Sequence, residues 1–336
     1  MVTVSIPTGG LLDRYAQWLA PFLEAIGLEP LYFYTHSSIV YTLFLLILLA
    51  LVIWFVVRKV KKDATTRIQQ WVQDAERAPE EEPSGSSPAP RIFAAVHQHI
   101  GSREDQQDSY GVSEPGVYPQ SGIVAVVADG MGGLSNGRAV SSALVRSFLE
   151  GFRSASPRQN AADFLLEQAV RANAGVNQML RGQDRSGSTL VSCVIRGGYL
   201  NFLTVGDSRI YLYRGGALLQ LNREHIYQEE LAERAVNQEA GLSQVRSDRQ
   251  GHALTSYFGI GHIPAIDRND EGIRLLDGDK LLLASDGVFG TLTQMQMETA
   301  LAQDAATATR MMGEQIRAAN RTHQDNNTAV VLEYRI

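Results

Sequence analysis

The sequence predicts an α+β fold, with antiparallel sheets covered by helices and a single transmembrane helix ahead of them. Three observations predict it. A long uncharged apolar run lies near the N-terminus. Short β-branched and aliphatic runs follow in clusters, with helical stretches between the clusters. Gly-Gly pairs at 197–198 and 215–216 sit between consecutive strand-like runs, as tight antiparallel hairpins require. With 44% hydrophobic and 20% charged residues, the 336-residue chain suits a folded core and not global disorder. Its 30 Lys+Arg against 36 Asp+Glu leave a net charge of −6. A chain-wide basic surface is therefore excluded, and no nucleic-acid partner is expected.

Residues 39–57 read IVYTLFLLILLALVIWFVV. At 1.5 Å per residue the run spans ~28 Å, close to the hydrocarbon core of a bilayer. A soluble helix is rarely apolar on every face. A cleaved signal peptide fits less well, because the run is long, starts late and lacks a small-residue cleavage site after it. Arg58, Lys59, Lys61 and Lys62 follow immediately, so the positive-inside rule places the C-terminal side in the cytoplasm. Residues 1–38 then form a non-cytoplasmic or interfacial segment, in which 11–28 either lie in the membrane interface or form a loose helix. Residues 58–90 are a juxtamembrane helix and a flexible linker; PEEEPSGSSPAP is too polar to fold. The expected setting is a bacterial inner membrane, crossed once, with a cytoplasmic catalytic domain at 91–336.

Within 91–336 the runs at 123–128, 189–196, 200–205, 210–214, 280–284 and 328–334 read as strands. Residues 137–152, 161–181, 294–302 and about 305–320 read as helices. The one cysteine, Cys193, sits in an apolar run and reads as a buried, inert thiol; one thiol makes neither a disulfide nor a Cys-based zinc site. The seven histidines show no paired-ligand spacing. A metal site here must be built from oxygen.

Such oxygens recur at the ends of apolar strands. VAVVADG ends in Asp129 and Gly130, LTVGDS holds Asp207, LLLASDG ends in Asp286, Asp325 precedes TAVVLEY, and Asp108 lies beside a strand start. An aspartate at a strand terminus points its carboxylate at the rim of a sheet. Converging rims make the all-oxygen pocket preferred by Mg²⁺ and Mn²⁺. A glycine after the aspartate lets a backbone carbonyl approach as a ligand. Any single one of these residues is an ordinary turn former; it is the repetition after strongly apolar strands that points to a site.

GSREDQQDSYGV, VVADGMGGLSNGRAVSS, SGSTLV, LTVGDSRIYLYRGG, LLLASDGVFG and QDNNTAVVL occur in this order across residues 92–334. This series resembles the successive motifs of the metal-dependent protein phosphatases, the type 2C serine/threonine family in its bacterial form. The resemblance implies a four-layer sandwich of two antiparallel β-sheets flanked by helices. It also implies two Mn²⁺ or Mg²⁺ ions at one end and removal of phosphate from phosphoserine and phosphothreonine by water attacking phosphorus in line. Carried over residue by residue, Asp129 bridges the metals, Gly130 offers its carbonyl, and Asp286 and Asp325 bind the second ion. Asp108 either holds a water near the metals or ligates directly. Arg103 grips the phosphate, as a planar guanidinium suits. Asp207 is either a ligand of a third, weaker metal site or a turn-stabilising carboxylate.

The chain departs from the family pattern at three places. Gln106 stands where an asparagine is usual. Met131 stands where many eukaryotic members have histidine, so water, not an imidazole, would protonate the leaving alkoxide. Gly290 stands where an acidic residue often follows the SDG aspartate, which puts the third metal in doubt. Residues 222–262 resemble the family's variable flap, and His225 and His252 within it read as packing or surface residues. Expected partners are phosphorylated proteins, membrane-proximal Ser/Thr kinases or their substrates among them, and the bilayer itself. A catalytically silent phosphoprotein-binding scaffold of the same fold is the alternative, and a receptor sensing through residues 1–38 is a weaker third.

Overall fold

The computed structural model describes residues 90–132, 136–181 and 186–336, together with Leu51, Trp54, Phe55 and Arg58, which are helical. Among the described residues no helix is long and apolar enough to cross a membrane. The remainder of the predicted 39–57 span, of 1–38 and of 58–90 lies outside them.

The chain enters through β1 (Arg91–His99) and β2 (Asp108–Val112), and a 3-10 turn at Pro115–Val117 leads into α1 (Tyr118–Ser121) and β3 (Ile123–Met131). Two long helices follow, α2 (Asn136–Ser154) and α3 (Ala161–Leu180). Then come β4 (Gly187–Ser188), β5 (Leu190–Arg196), β6 (Tyr199–Val205), β7 (Arg209–Arg214) and β8 (Ala217–Gln220). A helical excursion, α4 (Tyr227–Val236) and α5 (Leu242–Ser247), precedes the short strands β9 (Asp267–Arg268) and β10 (Ile273–Arg274). The chain ends with β11 (Lys280–Ala284), α6 (Asp286–Phe289), α7 (Gln294–Leu301), α8 (Ala305–Ala318) and β12 (Asn327–Arg335).

One sheet has the order β1-β12-β11-β7-β8 and the other β10-β6-β5-β3-β2, with β4 added to β3 and β9 to β6. The pairings are antiparallel throughout. Alternation along each strand then divides the core into three layers. Ile123, Ala125, Val127, Cys193, Leu212, Leu283 and Val330 meet between the sheets. Val124, Val126 and Leu203 face the other way, against Leu144 and Phe148 of α2 and Phe164 of α3. Leu282, Ala284 and Val331 pack under Met297 of α7 and Met312 of α8. Both faces of β3 are buried, which is why residues 123–128 read as one unbroken apolar run.

The two Gly-Gly pairs close the β5–β6 and β7–β8 hairpins. Both residues of each pair have positive φ, +58° and +79° in the first and +58° and +82° in the second, as a two-residue turn matched to strand twist demands. All four predicted helices form. β1 falls outside the predicted strands: it is a half-buried edge rich in His and Gln, held by a nine-residue register with β12. α4 buries only Leu231 and α5 buries nothing, so neither has an apolar stripe to read. Where the sheets stop at the end away from the helical excursion, Arg214 and Asp279 form a buried bidentate pair, 2.9 Å from Nε to Oδ1 and 2.5 Å from Nη2 to Oδ2. The backbone N–H of Leu276 also donates to Asp279, and Arg214 donates to the carbonyl of Arg274.

Candidate active site

Antiparallel strands pass back and forth, so each leaves one terminus at a given end of the sandwich. β1, β3, β6 and β11 end, and β2, β7 and β12 begin, around a cleft of about 1010 Å³. Arg103, Asp129, Gly130, Asp207, Asp286 and Asp325 all line it. The structure thus brings together six of the seven predicted site residues. The seventh, Asp108, sits behind the cleft floor, 3% exposed and opposite Asp129 in the β2–β3 ladder. Asp129 lies inside β3 and not at its end, because β4 prolongs the ladder through Gly130 and Met131.

The carboxylates crowd one another. The charges of Asp286 and Asp129 act on one another at close range, a proximity two carboxylates tolerate best with a shared proton or a cation. Burial pushes the Asp129 carboxyl well above the usual carboxylate range, and the charges of Asp108, Asp286, Asp207 and Asp325 add to it. Burial raises Asp108 to about 6 and Asp207 to about 7, with Asp286 adding to both. Asp286 is raised by burial and then by Asp325. Asp108 is also clasped through Oδ2, which accepts from the hydroxyls of Ser285 at 2.7 Å and Thr328 at 2.8 Å. Its Oδ1, and Oδ1 of Asp286, are buried with no hydrogen-bond partner. Orphaned anionic oxygens at the bottom of an acidic cleft fit divalent cations, and an all-oxygen donor set suits Mg²⁺ or Mn²⁺. Among the described residues no three His, Cys, Asp or Glu side chains close on one point as a ready metal site. Mg²⁺ keeps several waters and takes only one or two carboxylates, so a ring of carboxylates sharing ions is compatible with that geometry.

Arg103 donates from Nη2 to Asp325 Oδ2 at 2.6 Å, in a pair at the cleft mouth whose side chains are 60% and 36% exposed. The loop carrying it is fixed by Asn326. Its amide donates to the carbonyls of Ile100 and Asp105 and accepts from the N–H of Gln107. Gln106, the longer amide, still accepts from the N–H of Asp108 at 3.0 Å. Gly130 and Gly137 lie backbone to backbone: a Cβ on Gly130 would collide with the carbonyl of Gly137. Leu254 brings residues 222–262 to the cleft wall. No acidic side chain occupies position 290, and Gly290 closes the turn after α6 by donating to the carbonyl of Asp286.

Sequence reasoning passed over three supports. Asn326 stands beside Asp325 in the DN pair, and that adjacency was the signal. Ser285 and Thr328 flank the aspartates with hydroxyls but resemble ordinary strand-end residues. Of the two readings offered for His225, it takes the packing one: it is buried, and its Nδ1 accepts from the N–H of Gly206, which shapes the turn into Asp207. Burial lowers its pKa, in keeping with a neutral ring as acceptor. Cys193 is buried as expected, its thiol pushed up to about 12 by desolvation.

A family model described as Protein phosphatase 2C matches residues 97–324. The serine/threonine protein phosphatase PstP of Mycobacterium tuberculosis is 29% identical over 232 residues, which are 66% of this chain and 42% of that relative. This chain therefore spans less than half of that relative's length. The structure of MsPP, a PPM Ser-Thr phosphatase from Mycobacterium smegmatis in complex with cacodylate, is similar at 30% identity and a TM-score of 0.57, covering 72% of this chain and 98% of that one. PppA of Pseudomonas aeruginosa is similar at 27% identity and a TM-score of 0.60, over 73% of this chain and 99% of that one. The catalytic domain of PstP, in complex with two manganese ions, shares the fold at 21% identity and a TM-score of 0.60, over 74% and 100%.

Proposed function

The chain belongs to the protein phosphatase 2C family, and from that premise we propose that it is a membrane-anchored, metal-dependent phosphatase of phosphoserine and phosphothreonine in proteins. The observation that carries the reading is the convergence of Asp129, Asp286, Asp325 and Asp207 beside Arg103 in one cleft, with Asp108 behind them. Asp129, the carbonyl of Gly130, Asp286 and Asp325 would hold two divalent ions, Mn²⁺ or Mg²⁺, with Asp108 supporting them and Asp207 at a weaker third position. Bound there, such ions supply Lewis-acid polarisation of the phosphoryl group and acidify water for in-line attack.

The protein's own groups do the rest. Arg103 exchanges its carboxylate partner for the substrate phosphate, which a guanidinium binds through two parallel N–H bonds. Crowded aspartates on strand ends hold their oxygens rigidly around the reacting centre, so little reorganisation accompanies charge development. Met131 brings no titratable group and no histidine is among the residues lining the cleft, so the leaving serine or threonine oxygen takes its proton from water. Leu254 and its neighbours limit solvent access from one side.

Anchoring follows from residues 39–57 and the basic residues Arg58, Lys59, Lys61 and Lys62. The linker lets the domain search near the bilayer at raised effective concentration, so membrane-proximal phosphoproteins, kinases among them, are the expected substrates. The test is hydrolysis of a phosphothreonine peptide by the full chain with Mn²⁺, abolished by chelator and in Asp129→Asn and Asp286→Asn. Binding of the phosphopeptide without turnover would mark a silent scaffold instead. Recovery of the full chain, but not of a 1–62 deletion, in carbonate-washed membranes tests the anchor.

A further inference from the structure

We propose that Arg138 is a specificity residue that selects phosphoproteins carrying a carboxylate beside the phosphorylated residue, an inference that rests on the phosphatase reading above. Arg138 lines the same cleft as the aspartates. Its position is fixed from the backbone upward. It follows Gly137, whose backbone abuts that of Gly130 so closely that a Cβ on either would strike the other's residue or Gln107. Arg138 therefore rises from the wall next to the reacting centre, at the first turn of α2.

Nothing about the helix calls for a cation there. The N-terminal end of a helix carries partial positive charge and favours anions, yet α2 has no acidic residue in its first turn and an arginine instead. Its ion pair is loose, 3.4 Å from Nη1 to Asp105 Oδ1, with the two side chains 58% and 34% exposed. Exposed pairs of this kind exchange partners readily. The backbone under Asp105 is held in place by Asn326, which donates to its carbonyl at 3.1 Å. The second cleft arginine, Arg103, is paired instead with Asp325, a member of the carboxylate cluster. The two cations therefore divide the work: Arg103 serves the phosphate and Arg138 serves the substrate chain next to it. A flanking aspartate or glutamate meets the outward face of Arg138 in the planar geometry guanidinium prefers, and displaces Asp105.

The experiment compares two phosphothreonine peptides, one with Asp on both sides of the phosphothreonine and one with Asn, using the full chain and Mn²⁺ at low salt. The readout is the ratio of kcat/KM for the Asp peptide over the Asn peptide. In Arg138→Gln the ratio falls about two- to fivefold, the scale of one exposed ion pair, and the change lies in KM. In Arg138→Glu it falls further and the Asn peptide becomes the better substrate. In Asp105→Asn the ratio rises above wild type, because the competing carboxylate is gone. An arginine needed only for folding would slow both peptides together and leave the ratio at the wild-type value. An unchanged ratio in both Arg138 variants overturns this inference and leaves the phosphatase reading standing. Failure of the wild-type chain to turn over either peptide overturns both.

Discussion

The two ends of β11 carry aspartates in opposite circumstances, one buried and one half-buried at the cleft. Asp279, just before the strand, is 2% exposed and bonded on both oxygens by Arg214, with a backbone N–H added. Asp286, just past its other end, has a buried oxygen with no partner and feels four further carboxylates, Asp129, Asp325, Asp108 and Asp207. The same strand, Lys280–Ala284, thus presents one satisfied charge and one frustrated one. A buried charge with a complete set of partners maintains structure. A buried charge crowded by its own kind stores unfavourable energy that a bound cation relieves. Burial alone does not separate structural from functional carboxylates here; the sign of the neighbouring charges does.

Each end can be perturbed to break that contrast. Asp129→Asn removes the carboxylate at the centre of the frustrated cluster, and kcat on a phosphothreonine peptide should fall about 10³-fold or more, the several kcal/mol of charge stabilisation the ions supply. At the satisfied end, Asp279→Ala takes the carboxylate away from the buried Arg214 guanidinium, and should cost about 3–5 kcal/mol in urea unfolding. An unfolding midpoint equal to wild type would show that this pair is not structural. Gly130→Ala drives a methyl into Gly137 and Gln107 and should cost about 1–3 kcal/mol while also lowering turnover. Asp286→Asn should do the reverse to stability. It removes a repelled charge, so the melting midpoint in chelator rises by about 2–4 °C, the shift ~1 kcal/mol produces in a domain of this size, while activity is lost.

The pH dependence sharpens the comparison further. Folding raises Asp108 to about 6 and Asp207 to about 7, so the folded state binds those protons more tightly than the unfolded chain. The stability they contribute is complete below about pH 4 and is lost as pH rises through 6 to 7. The rise in melting midpoint on adding Mn²⁺ to chelated protein should therefore be larger at pH 7.5 than at pH 5. Equal rises at the two pH values would contradict cation relief of the cluster.

Much of this site was legible because each aspartate closes an apolar run, and apolar runs are the strongest local signal a sequence carries. Asp129, Asp207 and Asp286 each follow one, and Asp325 precedes one. Asn326 was not legible, because it works on the backbone of Ile100, Asp105 and Gln107, more than 200 positions away, and leaves no local periodicity. Asp279 was not legible either, because nothing near it in LDGDK names Arg214, 65 positions earlier, as its partner. α4 and α5 escaped notice because they bury almost nothing. Arg138 gave no sign of its placement until Gly130 and Gly137 were seen backbone to backbone. The expected membrane span rests on the sequence alone, since most of residues 39–57 lie outside the described residues.

The clasp on Asp108 has a mechanical consequence. A carboxylate from β2 of one sheet is gripped by hydroxyls at Ser285 and Thr328, both belonging to the other sheet's strands or their ends. It acts as a rivet through the sandwich, and its ladder neighbour is Asp129. The sheets cannot slide without dragging the reacting centre along. Turnover therefore reports the stiffness of the whole sandwich, and loosening the packing between the sheets far from the cleft should register as slower chemistry well before it registers as unfolding.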